Sequence, residues 1–135
     1  MSGAPPPLVL VVEDNPANLL LVEAVLRRAG YRILSAGNAE DAIDLLRTEQ
    51  PLILLTDVQL PGVSGLDLAR QVRGDPTLTA TVIVALTAFA MPEDRSHALA
   101  AGCDGYLSKP INTRTFATDL AAIVQSAQRS ARPSA

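Results

Sequence analysis

Hydrophobic and polar positions along this chain switch between two periods, and the switch repeats five times. Short apolar runs occupy Leu8–Val12, Arg32–Ser35, Leu52–Thr56, Val82–Leu86 and Tyr106–Leu107. The first, third and fourth are almost wholly apolar, the pattern of strands covered by helices on both faces. The second and fifth are shorter and more polar, which suits places nearer the sheet edges. Between the runs lie segments of helical spacing. Leu19, Leu20, Val22, Glu23 and Leu26 form the first, which closes at Arg27, Arg28 and Gly30 with basic residues and a glycine. Asn38 caps a second helix running to about Thr48, with Ile43, Leu45 and Leu46 on its apolar side. The box from Ser64 to Asp67 starts a third, ending near Gly74. Glu93–Ala101 is a fourth with Gly102 as its stop, and Asn112 or Thr113 opens a fifth carrying Phe116, Leu120, Ile123 and Val124.

Five strand–helix units with right-handed crossovers predict a doubly wound α/β domain, a three-layer sandwich around a five-stranded parallel sheet. Such sheets take ligands at the carboxyl ends of their strands. Three acids and one lysine stand just past the apolar runs: Glu13 and Asp14 after the first, Asp57 after the third, Lys109 after the fifth. In the strand order 2-1-3-4-5 the first and third strands are central neighbours, which puts Asp14 beside Asp57. Clustered carboxylates repel one another unless a hard cation joins them, and Mg²⁺ prefers oxygen ligands. The pattern predicts a phosphoryl-transfer site with its metal.

Composition narrows the class. A chain of 135 residues fits one domain. Hydrophobic residues make up 48% and aromatics 3%, so the core is built of Leu, Val, Ile and Ala. A net charge of −3 argues against a nucleic-acid binder, which carries a basic face. The lone Cys103 forms no internal disulfide and suits a reducing cytoplasm. No apolar stretch reaches the ~20 residues of a membrane span, and the start lacks the pattern of a signal peptide. A cytoplasmic protein is expected, with residues 1–7 a disordered leader, 8–125 the domain, and 126–135 a frayed tail.

Four motifs carry a resemblance: Val11–Asn15 (VVEDN), Asp57–Gly62 (DVQLPG), Val84–Ala88 (VALTA) and Tyr106–Pro110 (YLSKP). Each alone is weak; in order, each at a strand end, they are specific. The chain resembles the CheY-like receiver domains of two-component response regulators over roughly residues 8–125. Thr87–Met91 (TAFAM) and Gly102–Tyr106 (GCDGY) are similar to the single-domain cell-division regulators of the DivK type. The resemblance implies the flavodoxin-like (βα)5 sheet order 2-1-3-4-5.

It also implies roles. Asp57 is the phosphoacceptor, a carboxylate nucleophile that forms an acyl phosphate. Asp14 binds Mg²⁺ directly, Glu13 holds a metal-bound water, and the Gln59 backbone carbonyl completes the protein ligands; Mn²⁺ can substitute. Lys109 pairs with Asp57 before reaction and with phosphoryl oxygens after it, and Lys109–Pro110 is a cis bond. The Thr87 hydroxyl reaches a phosphoryl oxygen, Ala88 leaves room for it, and Tyr106 turns inward in response. Gln59 and Phe89 tune how fast water attacks the acyl phosphate, and Ile111 stands where phenylalanine is common. Taken singly, each residue has a plainer reading: a turn-capping aspartate, an acidic helix start, a solvated lysine, a strand-end threonine, an edge aromatic. His97 reads as a solvated helix histidine away from the carboxylates, Cys103 as a core filler and Met91 as a packing residue.

The expected function is that of a single-domain response regulator in a phosphorelay. Its donor is a sensor histidine kinase or a histidine phosphotransfer protein, and its output is docking through the fourth helix, fifth strand and fifth helix. No nucleic-acid or membrane partner is expected, and the state is a monomer or weak dimer. The chain assists its own phosphorylation and hydrolysis without being an enzyme in the usual sense. Three alternatives stand beside this: a receiver excised from a hybrid kinase, a degenerate receiver that docks without phosphate, and a haloacid-dehalogenase-like phosphatase. The last needs a second aspartate at the position held by Gln59. No nucleotide-binding glycine motif is present.

Overall fold

The computed structural model describes residues 6–60, 62–88 and 91–129. The elements run β1 (Leu8–Val12), α1 (Pro16–Arg28), β2 (Arg32–Ala36), α2 (Ala39–Glu49), β3 (Ile53–Asp57), α3 (Gly65–Arg73), a 3₁₀ turn (Pro76–Leu78), β4 (Val82–Thr87), α4 (Pro92–Ala100), β5 (Gly105–Ser108) and α5 (Phe116–Arg129). All strand pairs are parallel, as the alternation predicts, and the sheet order is β2-β1-β3-β4-β5, as the resemblance implies.

Strand periodicity sorts the core into two layers. Leu10, Val12, Leu54, Ile83 and Ala85 face α2, α3 and α4, where Ala42, Leu46, Leu68, Val72 and Ala98 meet them. The alternate residues Val9, Val11, Ile53, Leu55, Val84 and Leu86 face α1 and α5, against Val22, Leu26, Leu120 and Val124. Every residue of β3 and β4 is buried, so the middle of the sheet is dry on both faces. Each fully buried Leu or Ile contributes roughly 1.5–3 kcal/mol.

Caps set the helix limits. Asn15 accepts from the amides of Ala17 and Asn18 with Pro16 inside the first turn, Asn38 accepts from Asp41, and Ser64 accepts from Asp67. The expected fifth-helix start at Asn112 or Thr113 is corrected to Phe116. Asn112 instead organises a turn, its side chain accepting from Arg114 N at 2.9 Å and its carbonyl from Phe116 N at 2.9 Å. At the other end α5 runs to Arg129, four residues into the tail expected to fray. The reason is that Ala127 extends the buried stripe of Phe116, Leu120 and Val124. The leader is likewise shorter than expected, because the Pro7 carbonyl accepts from Arg32 N at 2.9 Å and Pro6 from Arg32 Nε at 3.0 Å. Residues 1–5 and 130–135 of those two segments lie outside the described residues. No helix of the described residues is long and apolar enough to cross a membrane.

Candidate functional site

The sheet order decides where the acids meet. Val12 pairs with Thr56, so Glu13 and Asp14 leave β1 beside the end of β3, where Asp57 is the last residue. One carboxylate oxygen from each of Glu13, Asp14 and Asp57 lies within 4.8 Å of the others. Glu13 and Asp57 are buried, at 3% and 5% exposure, while Asp14 faces solvent. Glu13 is held by Asn15 N, which donates to Oε2 at 3.1 Å, so the residue that caps α1 also aims an acid. Asn15 was not read as a site residue; the asparagine before a proline at a helix start was the signal for it.

Lys109 completes the cluster. Its Nζ donates to Asp57 Oδ2 at 2.6 Å and lies 3.2 Å from Glu13 Oε1. It is the only lysine in a chain whose other permanent cations are arginines. The Lys109 amide donates to the Thr87 carbonyl at 2.7 Å, which seats the loop after β5 on the end of β4, and the Lys109–Pro110 bond is cis. Asp57 Oδ1 accepts from Gln59 N at 3.0 Å. The loop after β3 is drawn tight by Gly65 N donating to the Val58 carbonyl at 2.8 Å. A Cβ on Gly65 would overlap the Asp57 carbonyl, so only glycine allows that approach.

Electrostatics agree with the geometry. Burial raises the Glu13 pKa above the ordinary carboxylate value; the Asn15 amide opposes this, Asp57 adds to it, and Lys109 opposes it. Burial alone would lower the Lys109 pKa, but the hydrogen bond and charge of Asp57, then the charge of Glu13, outweigh it and the net shift is upward. The ammonium therefore stays charged. Glu13 Oε1 is buried with no hydrogen-bond partner despite its ion pair with Lys109. An orphaned carboxylate oxygen within an all-oxygen donor set fits a hard divalent cation such as Mg²⁺.

The remaining expected residues surround this centre. Thr87 is buried at the end of β4, Ala88 and Gln59 are exposed, and Phe89 lies outside the described residues. Tyr106 is half-buried on β5 against the α2–α3–α4 layer. His97 is solvent-exposed as expected. It lines a cavity of about 70 Å³ with Gln59, Thr87 and Asp94.

Comparison with known proteins agrees with this arrangement. The sequence profile of the response regulator receiver domain matches residues 9–121. The polar-differentiation response regulator DivK of Brucella anthropi is 38% identical over 111 residues, 82% of this chain and 90% of that protein. A putative response regulator from Chloroflexus aurantiacus superposes with a TM-score of 0.84 at 31% identity, covering 89% of this chain and 98% of that one. The receiver domain of a sensor histidine kinase from Pseudomonas aeruginosa, whose structure has a magnesium ion coordinated in its active-site cleft, gives 0.77 at 33% identity, covering 90% and 96%. The family profile spans most of the strand–helix alternation and the relatives cover nearly the same stretch, so the chain belongs to the response regulator receiver domains.

Proposed function

We propose that this chain is a DivK-like response regulator that accepts a phosphoryl group on Asp57 from a phosphohistidine of a sensor kinase or phosphotransfer protein. The observation that carries this reading is the Lys109 ammonium, 2.6 Å from Asp57 Oδ2 and within ion-pair distance of Glu13. A carboxylate oxygen of Asp57 attacks phosphorus, the P–N bond breaks, and the imidazole nitrogen keeps the electron pair and takes a proton from solvent. Hydrolysis later adds water at phosphorus and returns the carboxylate and inorganic phosphate. Glu13 and Asp14, with the Gln59 carbonyl, would hold Mg²⁺, with Mn²⁺ an alternative. When bound, the ion supplies positive charge to the equatorial phosphoryl oxygens. Lys109 neutralises Asp57 at rest and follows the phosphoryl oxygens afterwards. Thr87, at the end of β4 beside the cluster, offers a hydroxyl to the same group. The change is carried to partners by α4, β5 and α5, whose shared groove of about 550 Å³ includes Arg95, Tyr106 and Phe116.

Incubation with Mg²⁺ and acetyl phosphate, followed by intact-mass measurement, tests the chemistry. One added phosphoryl, lost with hydroxylamine and absent from Asp57→Asn, is expected. An unmodified wild-type chain, also inert towards beryllofluoride with Mg²⁺, would make phosphate-independent docking the better reading.

A further inference from the structure

We propose that Arg95 is a latch on Tyr106, holding its ring at the outer edge of β5 so that entry of a phosphoryl group at Asp57 must work against this contact. The proposal rests on the phosphoacceptor reading above and adds a positioning residue to it. The Arg95 guanidinium lies 5.8 Å from the Tyr106 ring centroid, within cation–π range. Both residues line the groove between α4, β5 and α5, so the ring's outer face is occupied by this cation.

An inner position for the ring adjoins the site. Tyr106 pairs with Ala85 across β4 and β5, and both belong to the α2–α3–α4 layer. Ala85 also lines the cavity of about 70 Å³ that contains Thr87 and Ala98. Asp94 and Ala98 of α4 line it too, so a ring moving inward meets Thr87 and α4. The ring can enter only if Thr87 or α4 gives way.

Helix α4 is built to give way at one end. Of its nine residues only Ala98 is buried, and Met91 at its start provides no side-chain oxygen as a cap. Its other end is fixed: Arg73 donates to the Gly102 carbonyl at 2.8 Å and to the Asp104 carboxylate, and Asp104 accepts from Ile83 N at 2.8 Å. Arg95, near the loosely held end, travels with any outward pivot of α4. Such a pivot widens the cavity and separates the guanidinium from the ring, so the two events are one motion. An exposed cation–π contact biases the ring by roughly two- to five-fold.

The chain has two tyrosines and no tryptophan, so Tyr31→Phe leaves Tyr106 as the sole tyrosine. With 3-fluorotyrosine incorporated, ¹⁹F NMR reports the ring's environment before and during titration with beryllofluoride and Mg²⁺. Arg95→Gln should raise the inner fraction two- to five-fold in the resting protein and lower the half-conversion concentration by the same factor. Arg95→Lys should lie between the two, and Leu99→Ala, an exposed site on the same helix, should match the parent. Identical spectra and half-conversion in parent and Arg95→Gln would overturn the latch. A parent that takes neither beryllofluoride nor acetyl phosphate overturns the phosphoacceptor reading instead, and the resting spectra still decide whether Arg95 holds the ring. Circular dichroism checks that each variant is folded.

Discussion

Helices α3 and α4 are both nine residues long and lie on the same sheet face, yet they are held very differently. Helix α3 buries Gly65, Leu68, Ala69 and Val72, is capped by the Ser64 hydroxyl, and ends in Arg73, whose guanidinium reaches three other segments. Helix α4 buries one residue and begins at a methionine that offers no side-chain oxygen, its amide donating to Asp94 Oδ2 at 3.3 Å. The stiff helix follows the strand that carries Asp57, and the loose one lies between the site and the groove at the sheet edge. Chemistry needs fixed atoms and signalling needs a part that moves at low cost, and neighbouring helices divide those demands.

The largest test of this division is a pair of leucine truncations, one in the core and one on the surface. Leu68→Ala should cost about 3 kcal/mol in urea denaturation, whereas Leu99→Ala, at 49% exposure, should stay within about 0.5 kcal/mol. Equal losses would erase the contrast. Next, Arg73→Met leaves the Gly102 and Thr81 carbonyls and the Asp104 carboxylate without their guanidinium. A loss of about 2 kcal/mol is expected, with faster amide exchange through the carboxyl-terminal half of α4. A stability unchanged from wild type would show that the clamp is ornamental. Smaller again are the caps: Ser64→Ala should lose about 1 kcal/mol, and Met91→Ser should gain a comparable amount or less.

The last test is silent at neutral pH and reads a pH dependence at the anchored end of α4. Burial pushes the Cys103 thiol up to about 11 from its ordinary 9.0, so the folded chain keeps a proton that the unfolded chain releases. Its contribution to stability is complete below pH 9 and disappears as pH rises through about 11. Tyr31, raised by burial, and Lys109, raised on balance by its carboxylate partners, lose stability in the same direction as pH rises past their ordinary values. The urea midpoint of wild type should therefore fall above pH 9 more steeply than that of Cys103→Ala. Parallel curves would mean that the thiol meets water in the folded state.

Much of this was legible because the signals were local. Apolar runs such as Val82–Leu86 and caps such as Ser64 depend on neighbours in sequence, and each marked its element to within a residue or two. The acids were legible as a cluster once strand order was assumed, since each stands next to a run. Arg73 was not, because its partners are 8, 29 and 31 residues away and no local pattern distinguishes it from a surface arginine. The cavity that His97 shares with Thr87 and Gln59 was hidden for a related reason: helical spacing gives a face, not what lies beneath it. The start of α5 failed because Asn112 has a capping residue's chemistry and spends it on a turn.

Lys109 has a further consequence, which concerns the order in which the chain is made. Glu13, Asp14 and Asp57 leave the ribosome first, and the lysine that compensates them follows Asp57 by 52 residues. At common rates of synthesis that interval is roughly 3–10 s. Until then the nascent chain has three carboxylates at the centre of its future sheet and no ammonium to set among them, and a contact of such long sequence separation is slow to form. A chain halted before its last strand thus has a self-repelling centre, with Asp57 made and its lysine partner not. Emergence of Lys109 and assembly of the site are therefore tied together in time.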